Sequence, residues 1–359
     1  MEDYQYDYTP EGILQTVYFY KEGEKHGHCI VNYPNGKPYY EEKYSYGWLT
    51  QVTQFDTSGK KLPTIYFEKG NGVFKLLYPN GKIYYEIPLV NGVYQGVEKK
   101  YFPDGKIMSE IAFKNDQKSG FAKYYNLNGK LSTEGNYFND LKTGTWKSYD
   151  NEGKVDELET FIDGELDGTC KYYDNGILTR EINYKEGDRE GALIRYNNSG
   201  EPMFQLYYED GLITSYSYYD KNKKLLPPIY LKNLTGTVLA FYPGGQKAAE
   251  IDVASGYYNG KFKLYNEKGI IIYESTEQYS FTNGTINTYH ENGKLKTTQT
   301  YKHNILEGPV KEFYPDGKIK SESVYEGGSI NGPYKKYDAT GKLIETQYYY
   351  YGYIMGVKK

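Results

Sequence analysis

The sequence predicts an all-β fold: an elongated, twisted, single-layer antiparallel meander of about fourteen β-hairpins. Three observations lead to this prediction. A tight turn recurs every 22 to 24 residues with one double step, a second glycine turn falls between its copies, and the stretches between turns alternate in character. A period this regular indicates a repeat array in which each unit contacts only its neighbours.

The first turn is typified by Tyr149–Lys154, in which an aromatic residue precedes small polar residues, glycine and lysine. Other copies contain Pro-Asn-Gly or Pro-Asp-Gly, which preset one φ angle and then supply a residue that is free to adopt positive φ. The glycines of this turn are Gly36, Gly59, Gly81, Gly105, Gly129, Gly153, Gly176, Gly200, Gly245, Gly269, Gly293, Gly317 and Gly341.

The second turn contains another series of glycines, mostly 24 residues apart, such as Gly120 and Gly144. Because each repeat then holds two turns with alternating residues between them, it is expected to form one β-hairpin.

The residues between the turns predict two different sheet faces. Counted from the first turn glycine, an apolar residue stands second and an aromatic residue eighth, as in Ile107 and Phe113, whereas glutamate stands fifth, as in Glu110. Counted from the second glycine, lysine stands third and an aromatic residue fifth, as in Lys99 and Tyr101. Since strand residues alternate between faces, one face is expected to be apolar and the other to carry glutamate, lysine and tyrosine rows.

A longer repeat is also present. An offset of 164 residues places Leu62-Pro63 on Leu226-Pro227, and the register continues beyond them. The sequence therefore predicts a lead-in at 1–17, a first block of about seven hairpins at 18–187 and a duplicated block at 188–359.

Three prolines interrupt the strand pattern: Pro63, Pro227 and Pro228. Proline cannot donate to a β-ladder, and almost every strand of a meander is interior. We therefore expect a break, bulge or bend of the sheet near 60–66 and again near 223–230. A structural irregularity is the preferred interpretation, and a hinge is the alternative.

Composition agrees with thin, half-solvated β structure. The chain of 359 residues contains 47 tyrosines and 40 glycines, and tyrosine can pack its ring while its hydroxyl stays in water. The net charge of −4 does not indicate a nucleic-acid-binding surface. No apolar run approaches the 18 or so residues of a membrane-spanning helix. The N-terminus does not resemble a signal peptide, and the sequence leaves open whether a cleaved signal precedes it.

These motifs resemble the MORN repeat (membrane occupation and recognition nexus), specifically its bacterial second type. Tyr314–Glu322 matches the first half of that unit and Phe138–Trp146 the second half. The resemblance covers about 18–356 and is weakest at 47–72 and 211–236. It implies an elongated single-layer sheet with an interaction or scaffold role, and bacterial members include antitoxins and envelope proteins.

A second resemblance is to the tyrosine–aspartate repeat of large secreted shell-forming toxins, through pairs such as Tyr149-Asp150 and Tyr173-Asp174. The longer period and the second glycine turn favour the MORN repeat.

Residues for catalysis or metal binding are sparse. His26 and His28 lie two apart without an identifiable third ligand, and Cys29 and Cys170 stand at equivalent, distant repeat positions, where small inward-facing residues are expected rather than a disulfide. The recurring glutamates belong to the repeat pattern, so no catalytic pair stands out. The sequence therefore predicts no enzyme, no cofactor and no metal.

The function expected from these observations is a non-enzymatic scaffold that binds proteins through a curved, aromatic-rich sheet. The alternative is a glycan- or envelope-binding module that uses the tyrosine rows; an antitoxin-like immunity protein and a fragment of a toxin shell are further options. Oligomers are conceivable through the sheet ends or the apolar face. The compartment is not indicated, although a secreted or envelope location fits the resemblance. The candidate binding residues are Tyr101, Tyr125, Trp146, Tyr149, Tyr173, Tyr265 and Tyr289.

Overall fold

The structure, a computed structural model, describes residues 2–9, 12–33 and 35–358. Pro34 of the first turn motif lies outside the described residues. The described chain is built almost wholly of β-strands, with one short 3₁₀ helix at Lys232–Leu234. Consecutive strands pair antiparallel, so the predicted all-β meander is confirmed.

The chain forms two compact units, 1–167 and 168–359. The strands of the first unit are β1 (Glu2–Tyr8), β2 (Leu14–Lys21), β3 (Glu24–Lys25), β4 (Gly27–Asn32), β5 (Pro38–Ser45), β6 (Trp48–Gln54), β7 (Ile65–Tyr66), β8 (Gly72–Leu77), β9 (Ile83–Val90), β10 (Val93–Tyr94), β11 (Gly96–Tyr101), β12 (Ile107–Lys114), β13 (Gln117–Tyr125), β14 (Leu131–Phe138), β15 (Leu141–Tyr149), β16 (Val155–Ile162) and β17 (Glu165–Leu166).

The second unit continues the same hairpin pattern. Its strands are β18 (Gly168–Asp174), β19 (Ile177–Lys185), β20 (Asp188–Tyr196), β21 (Pro202–Glu209), β22 (Leu212–Tyr218), β23 (Ile229–Tyr230), β24 (Gly236–Phe241), β25 (Lys247–Ala254), β26 (Tyr257–Tyr265), β27 (Ile271–Gln278), β28 (Phe281–Thr282), β29 (Gly284–Tyr289), β30 (Leu295–Lys302), β31 (Ile305–Phe313), β32 (Ile319–Glu326), β33 (Ser329–Ile330), β34 (Gly332–Tyr337), β35 (Leu343–Tyr350) and β36 (Tyr353–Lys358).

The aspartate or asparagine side chain of the first turn explains why this motif recurs. The Asp150 carboxylate accepts hydrogen bonds from the backbone N–H groups of Glu152 (2.8 Å) and Lys154 (2.9 Å), and Gly153 adopts a φ of 90°. An aspartate or asparagine that bonds its own backbone two residues on is the characteristic initiator of such turns. The motif therefore fixes the hairpin geometry locally.

The second turn uses positive φ at consecutive residues. Asn139 and Asp140 have φ values of 49° and 68°, as in the two-residue type I′ hairpins whose twist matches that of the strands. The Asp140 carboxylate also accepts a hydrogen bond from the backbone N–H of Lys118 at 2.8 Å. Successive hairpins are thereby joined at their turns as well as along their strands.

The β-ladder is interrupted once within each unit. In the first unit one ladder ends at β7 and the next begins at β8; in the second, one ends at β23 and the next begins at β24. We call residues 55–71 the first junction and residues 219–235 the second junction. Pro63 lies in the irregular segment between β6 and β7, and Pro227 and Pro228 lie between β22 and β23.

Strands on the two sides of each junction pack against each other. In the second unit, Phe204 and Ile213 share a buried cluster with Val238 and Ile251, and the Tyr208 and Tyr258 hydroxyls are 2.6 Å apart. The first unit has a corresponding cluster that contains Val52, Phe74 and Ile87. Two layers of the meander therefore lie face to face beside each junction, where the sequence predicts a single layer, because apolar side chains from both ladders are removed from water together.

Candidate binding surfaces

One face of the sheet carries a repeated hydrogen bond between tyrosine and glutamate. The Tyr101 hydroxyl donates to Glu86 at 2.6 Å, and the Tyr149 hydroxyl donates to Glu134 at 2.7 Å. The partners are always fifteen residues apart, and the further pairs are Tyr125–Glu110, Tyr196–Glu181, Tyr265–Glu250, Tyr289–Glu274 and Tyr337–Glu322. The predicted grouping of tyrosine and glutamate rows on one face is confirmed.

Lysine completes this arrangement. Lys75 lies 3.3 Å from Glu86, and Lys263 lies 3.5 Å from Glu274. The hydrogen bond from Tyr289, despite partial burial, holds the pKa of Glu274 below its usual range. Burial and the bond to Glu86 raise the pKa of Tyr101 to about 12. Glu274 is therefore ionised and Tyr101 neutral at pH 7, as a hydrogen bond from a hydroxyl to a carboxylate requires.

The predicted tyrosines differ in their availability. Tyr101, Tyr125, Tyr149, Tyr265 and Tyr289 are half-buried, and each hydroxyl already donates to a glutamate. Because these hydroxyls are already engaged, the first contribution of the five tyrosines is to the register of the sheet. Tyr173 is also half-buried, and the residue fifteen positions earlier in the sequence is leucine rather than glutamate.

Trp146 does not belong to this surface. It is only 4% exposed and lies in an apolar cluster with Phe161 on the opposite face of the sheet. Its indole N–H donates to the backbone carbonyl of Asn136 at 3.1 Å. The ring covers Gly135 so closely that an added Cβ would lie 2.2 Å from it, which explains the glycine there. Trp146 is the second residue after Gly144, and this even offset predicts that it belongs to the apolar face.

The histidines and cysteines form no metal site among the described residues. His28 pairs with Glu41 at 2.6 Å, and His290 contacts the backbone carbonyl of Phe313 at 2.9 Å. Cys29 and Cys170 are both buried, as expected, and neither forms a disulfide within the described chain. Burial raises the pKa of the Cys29 thiol to about 12, so this thiol is unreactive at neutral pH.

Sequence reasoning missed a rim of apolar side chains beside the second turns of the first unit. Phe138, Leu141 and Ile162 are 61%, 48% and 56% exposed. Phe138 pairs with Leu141 across one turn, and Leu141 packs over Gly164 of the next. We call these three residues the apolar rim. The available signal was an apolar residue directly flanking the turn, where polar residues are expected.

A cleft of about 400 Å³ opens in the second unit. The Asn197 amide donates to Glu267 at 2.9 Å at its edge, and Lys223 pairs with Glu201 at 2.7 Å. Sequence reasoning missed the cleft because its walls come from turns far apart in the chain. The lining residues are Asn197, Glu201, Pro202, Tyr219, Lys223, Tyr242, Pro243, Gly244, Gln246 and Glu267.

The repeating hairpins, the two turn motifs and the tyrosine–glutamate rows define a β-hairpin repeat protein. The family model of the MORN repeat variant matches this chain eight times, and the chain is a MORN-repeat protein. The matched residues are 25–46, 70–91, 94–115, 142–163, 166–186, 282–303, 306–326 and 330–349.

No curated protein sequence matches this chain. Solved structures with some similarity include the Tc holotoxin pore of Photorhabdus luminescens, at 14% identity over 96% of this chain and 23% of the other, with a TM-score of 0.18. The TcdB2-TccC3-TEV crystal structure shows 11% identity over 96% and 21% of the two chains, with a TM-score of 0.16. The chain thus spans less than a quarter of these proteins, and TM-scores this low carry no conclusion about fold or function.

MORN repeats are generally associated with binding to proteins or membranes. Within the described residues, the only helix is far too short and polar to cross a bilayer.

Proposed function

We propose that this protein is a non-enzymatic scaffold that binds a partner protein through the apolar rim. The observation that supports it is the run of exposed Phe138, Leu141 and Ile162 on consecutive turns. Large apolar side chains grouped on a surface mark interaction sites more often than single exposed ones. The rim lies on turns whose backbone is fixed by the hairpins, so little conformational entropy is lost when it is covered.

The face of the sheet that carries the tyrosine–glutamate hydrogen bonds supports this function indirectly. Its hydroxyls are engaged by glutamates such as Glu86 and Glu134, and its lysines are engaged by the same carboxylates. A partner at this face would therefore displace existing bonds before it could form new ones. We assign this face to the rigidity and register of the scaffold, and the apolar rim to partner contact.

The test is capture from a native lysate with the wild-type chain and with a Phe138→Ser/Ile162→Ser double variant. A protein that the wild type retains and the variant loses, with an affinity at least about tenfold weaker, is the expected result. The matched control is Lys147→Gln, which alters an exposed residue on β15 away from the rim. Equal capture by all three proteins, or no reproducible partner for the wild type, would overturn the proposal.

The cleft of the second unit favours glycan binding as a second candidate function. Its walls combine the Tyr219 ring with the amides of Asn197 and Gln246 and the carboxylate of Glu267, and sugars are held by such mixtures of aromatic and polar groups. A glycan array with the wild type and with Tyr219→Ala tests this. Hits that survive Tyr219→Ala unchanged, or an array without hits, would remove the candidate.

A further inference from the structure

Arginine is confined to one small part of this chain. It occurs only at positions 180, 189 and 195, and all other Lys or Arg positions are lysine. The three arginines lie on the adjacent strands β19 and β20. A guanidinium group offers a planar fork of N–H donors that an ammonium group does not. The restriction to this hairpin therefore points to a local requirement rather than to solubility.

Two of these arginines are direct neighbours across the hairpin. Arg180 and Arg195 face each other in the antiparallel register. The facing pair Ile182 and Leu193 is two residues further along the strands, and therefore lies on the same face of the hairpin. Ile182 and Leu193 are 2% and 1% exposed, so this face of the hairpin is the one turned toward the core of the second unit. The Arg195 guanidinium lies 5.5 Å from the centre of the Phe262 ring of the opposing layer.

This pair lacks an anionic partner within the described chain. No arginine nitrogen there lies within 4.0 Å of a carboxylate oxygen, and the buried Nε of Arg180 has no hydrogen-bond partner. Like charges directly opposite on a sheet are destabilising, and a buried charge needs a counter-charge. Burial, with the adjacent charge of Arg180, lowers the pKa of Arg195 to about 10.

The third arginine, Arg189, has a hydrogen-bond partner within the described chain. Arg189 reaches the Tyr208 hydroxyl at 3.5 Å and lies over the ring of the same tyrosine. The 164-residue offset also shows that the fold does not need the facing pair, since Thr16 and Val31 stand at the positions of Arg180 and Arg195. The pair is a feature of the second unit alone.

We propose that Arg180 and Arg195 form a binding site for a phosphate- or sulfate-type oxyanion. Two facing guanidinium groups supply two positive charges and several N–H donors, which match a doubly charged oxyanion. The Tyr172 ring, 4.0 Å from the Arg180 guanidinium, and the Phe262 ring hold the planes of the two groups. Both arginines keep part of their surface accessible, so a small anion reaches them. The site is independent of the apolar rim.

The test is isothermal titration of the full chain with sodium phosphate and with sodium sulfate, at constant ionic strength set with sodium chloride. We expect saturable binding of one oxyanion per chain and none of chloride. Arg195→Lys keeps the charge but loses the fork, and should weaken binding at least about tenfold. Arg180→Gln should abolish it and, because it removes the facing charge, should leave the melting temperature without phosphate unchanged or higher.

The matched control is Lys171→Gln, which removes one positive charge from the other face of β18, where Lys171 pairs with Glu181 at 2.6 Å. It should bind phosphate as the wild type does. Titration with glycerol phosphate distinguishes the source: equal binding indicates a phosphate group carried by a larger molecule, and binding of inorganic phosphate alone indicates the free ion. Heats equal to those of the chloride blank, or equal losses in Lys171→Gln and Arg195→Lys, would overturn the site.

Discussion

The two junctions occupy equivalent places in a duplicated sequence but are packed with different side chains. Ile87 and Ile251 are related by the 164-residue offset, and both are fully buried. Beside them, however, the first unit has Tyr85 where the second has Ala249. The cluster of the second unit is larger and includes several alanines. The repeat thus sets where a junction forms, and the inward residues set how tightly it is packed.

Polar groups show the same contrast. Glu42 of the first unit corresponds to Leu206 of the second, which is 1% exposed. The Tyr44 hydroxyl donates to Glu42 at 3.0 Å. Burial raises the pKa of Glu42 above its usual range, although the hydrogen bond from Tyr44 and the charge of Lys25 oppose the shift. The interior of the first unit therefore contains a titratable group at a position where the second unit has an apolar residue.

The largest effect is expected from Phe204→Ala in the second unit. Phe204 is fully buried, and truncation of a buried phenylalanine costs about 3–5 kcal/mol because a cavity remains. Hydrogen exchange should show the loss of protection within 168–359 and not within 1–167, since repeats are stabilised mainly by their neighbours. Phe138→Ala, at a 61% exposed position, is the control and should change stability by less than about 0.5 kcal/mol. Uniform loss of protection over both units would contradict the comparison.

A smaller effect is expected when a residue packed beside the first junction is introduced at the equivalent position beside the second. Ala249 is fully buried, so Ala249→Tyr, which introduces the residue found at position 85, should overpack the layers and cost about 1–3 kcal/mol. Denaturant unfolding followed by hydrogen exchange measures it. Ala249→Ser changes the volume far less and serves as the control. A variant as stable as the wild type would show that the second junction is no more tightly packed than the first.

The difference in polarity predicts opposite pH dependences for two glutamates of the first unit. Because the folded state raises the pKa of Glu42, stability from this group is present at pH values below its unfolded pKa and is lost as the pH rises. Glu42→Gln should therefore be more stable than the wild type at pH 8 and nearly equal to it at pH 4. Thermal melts across this range measure the difference.

Glu86 is the matched control for that experiment. Burial opposes ionisation there, but the bonds from Tyr101 and Lys75 hold the pKa of Glu86 below its usual range. Its stabilisation is present above the unfolded pKa and is lost as the pH falls, so Glu86→Gln should be less stable than the wild type at pH 8. The same sign for both variants would refute the contrast.

The parts of this structure that sequence could predict are those fixed over short distances. Asp150 bonds to its own turn, and Tyr149 bonds to a glutamate fifteen residues away; strand alternation alone places both. Packing of Phe204 against the strands beyond the second junction was not predictable, because its local pattern is that of any other repeat. The cleft likewise depends on which distant turns meet, and the repeat period contains no signal for that.

The smallest effect is expected from single bonds of the regular repeats, far from either junction. Tyr149→Phe removes the hydroxyl that donates to Glu134 at 2.7 Å. This bond is half-buried, so its loss should cost about 1 kcal/mol. Tyr173→Phe is the control, since the sequence supplies no glutamate fifteen residues before it, and it should change stability by less than about 0.5 kcal/mol. Denaturant unfolding of the two variants tests whether the tyrosine–glutamate row stabilises the repeats; equal losses would mean that the bond from Tyr149 to Glu134 adds nothing to the stability of this face.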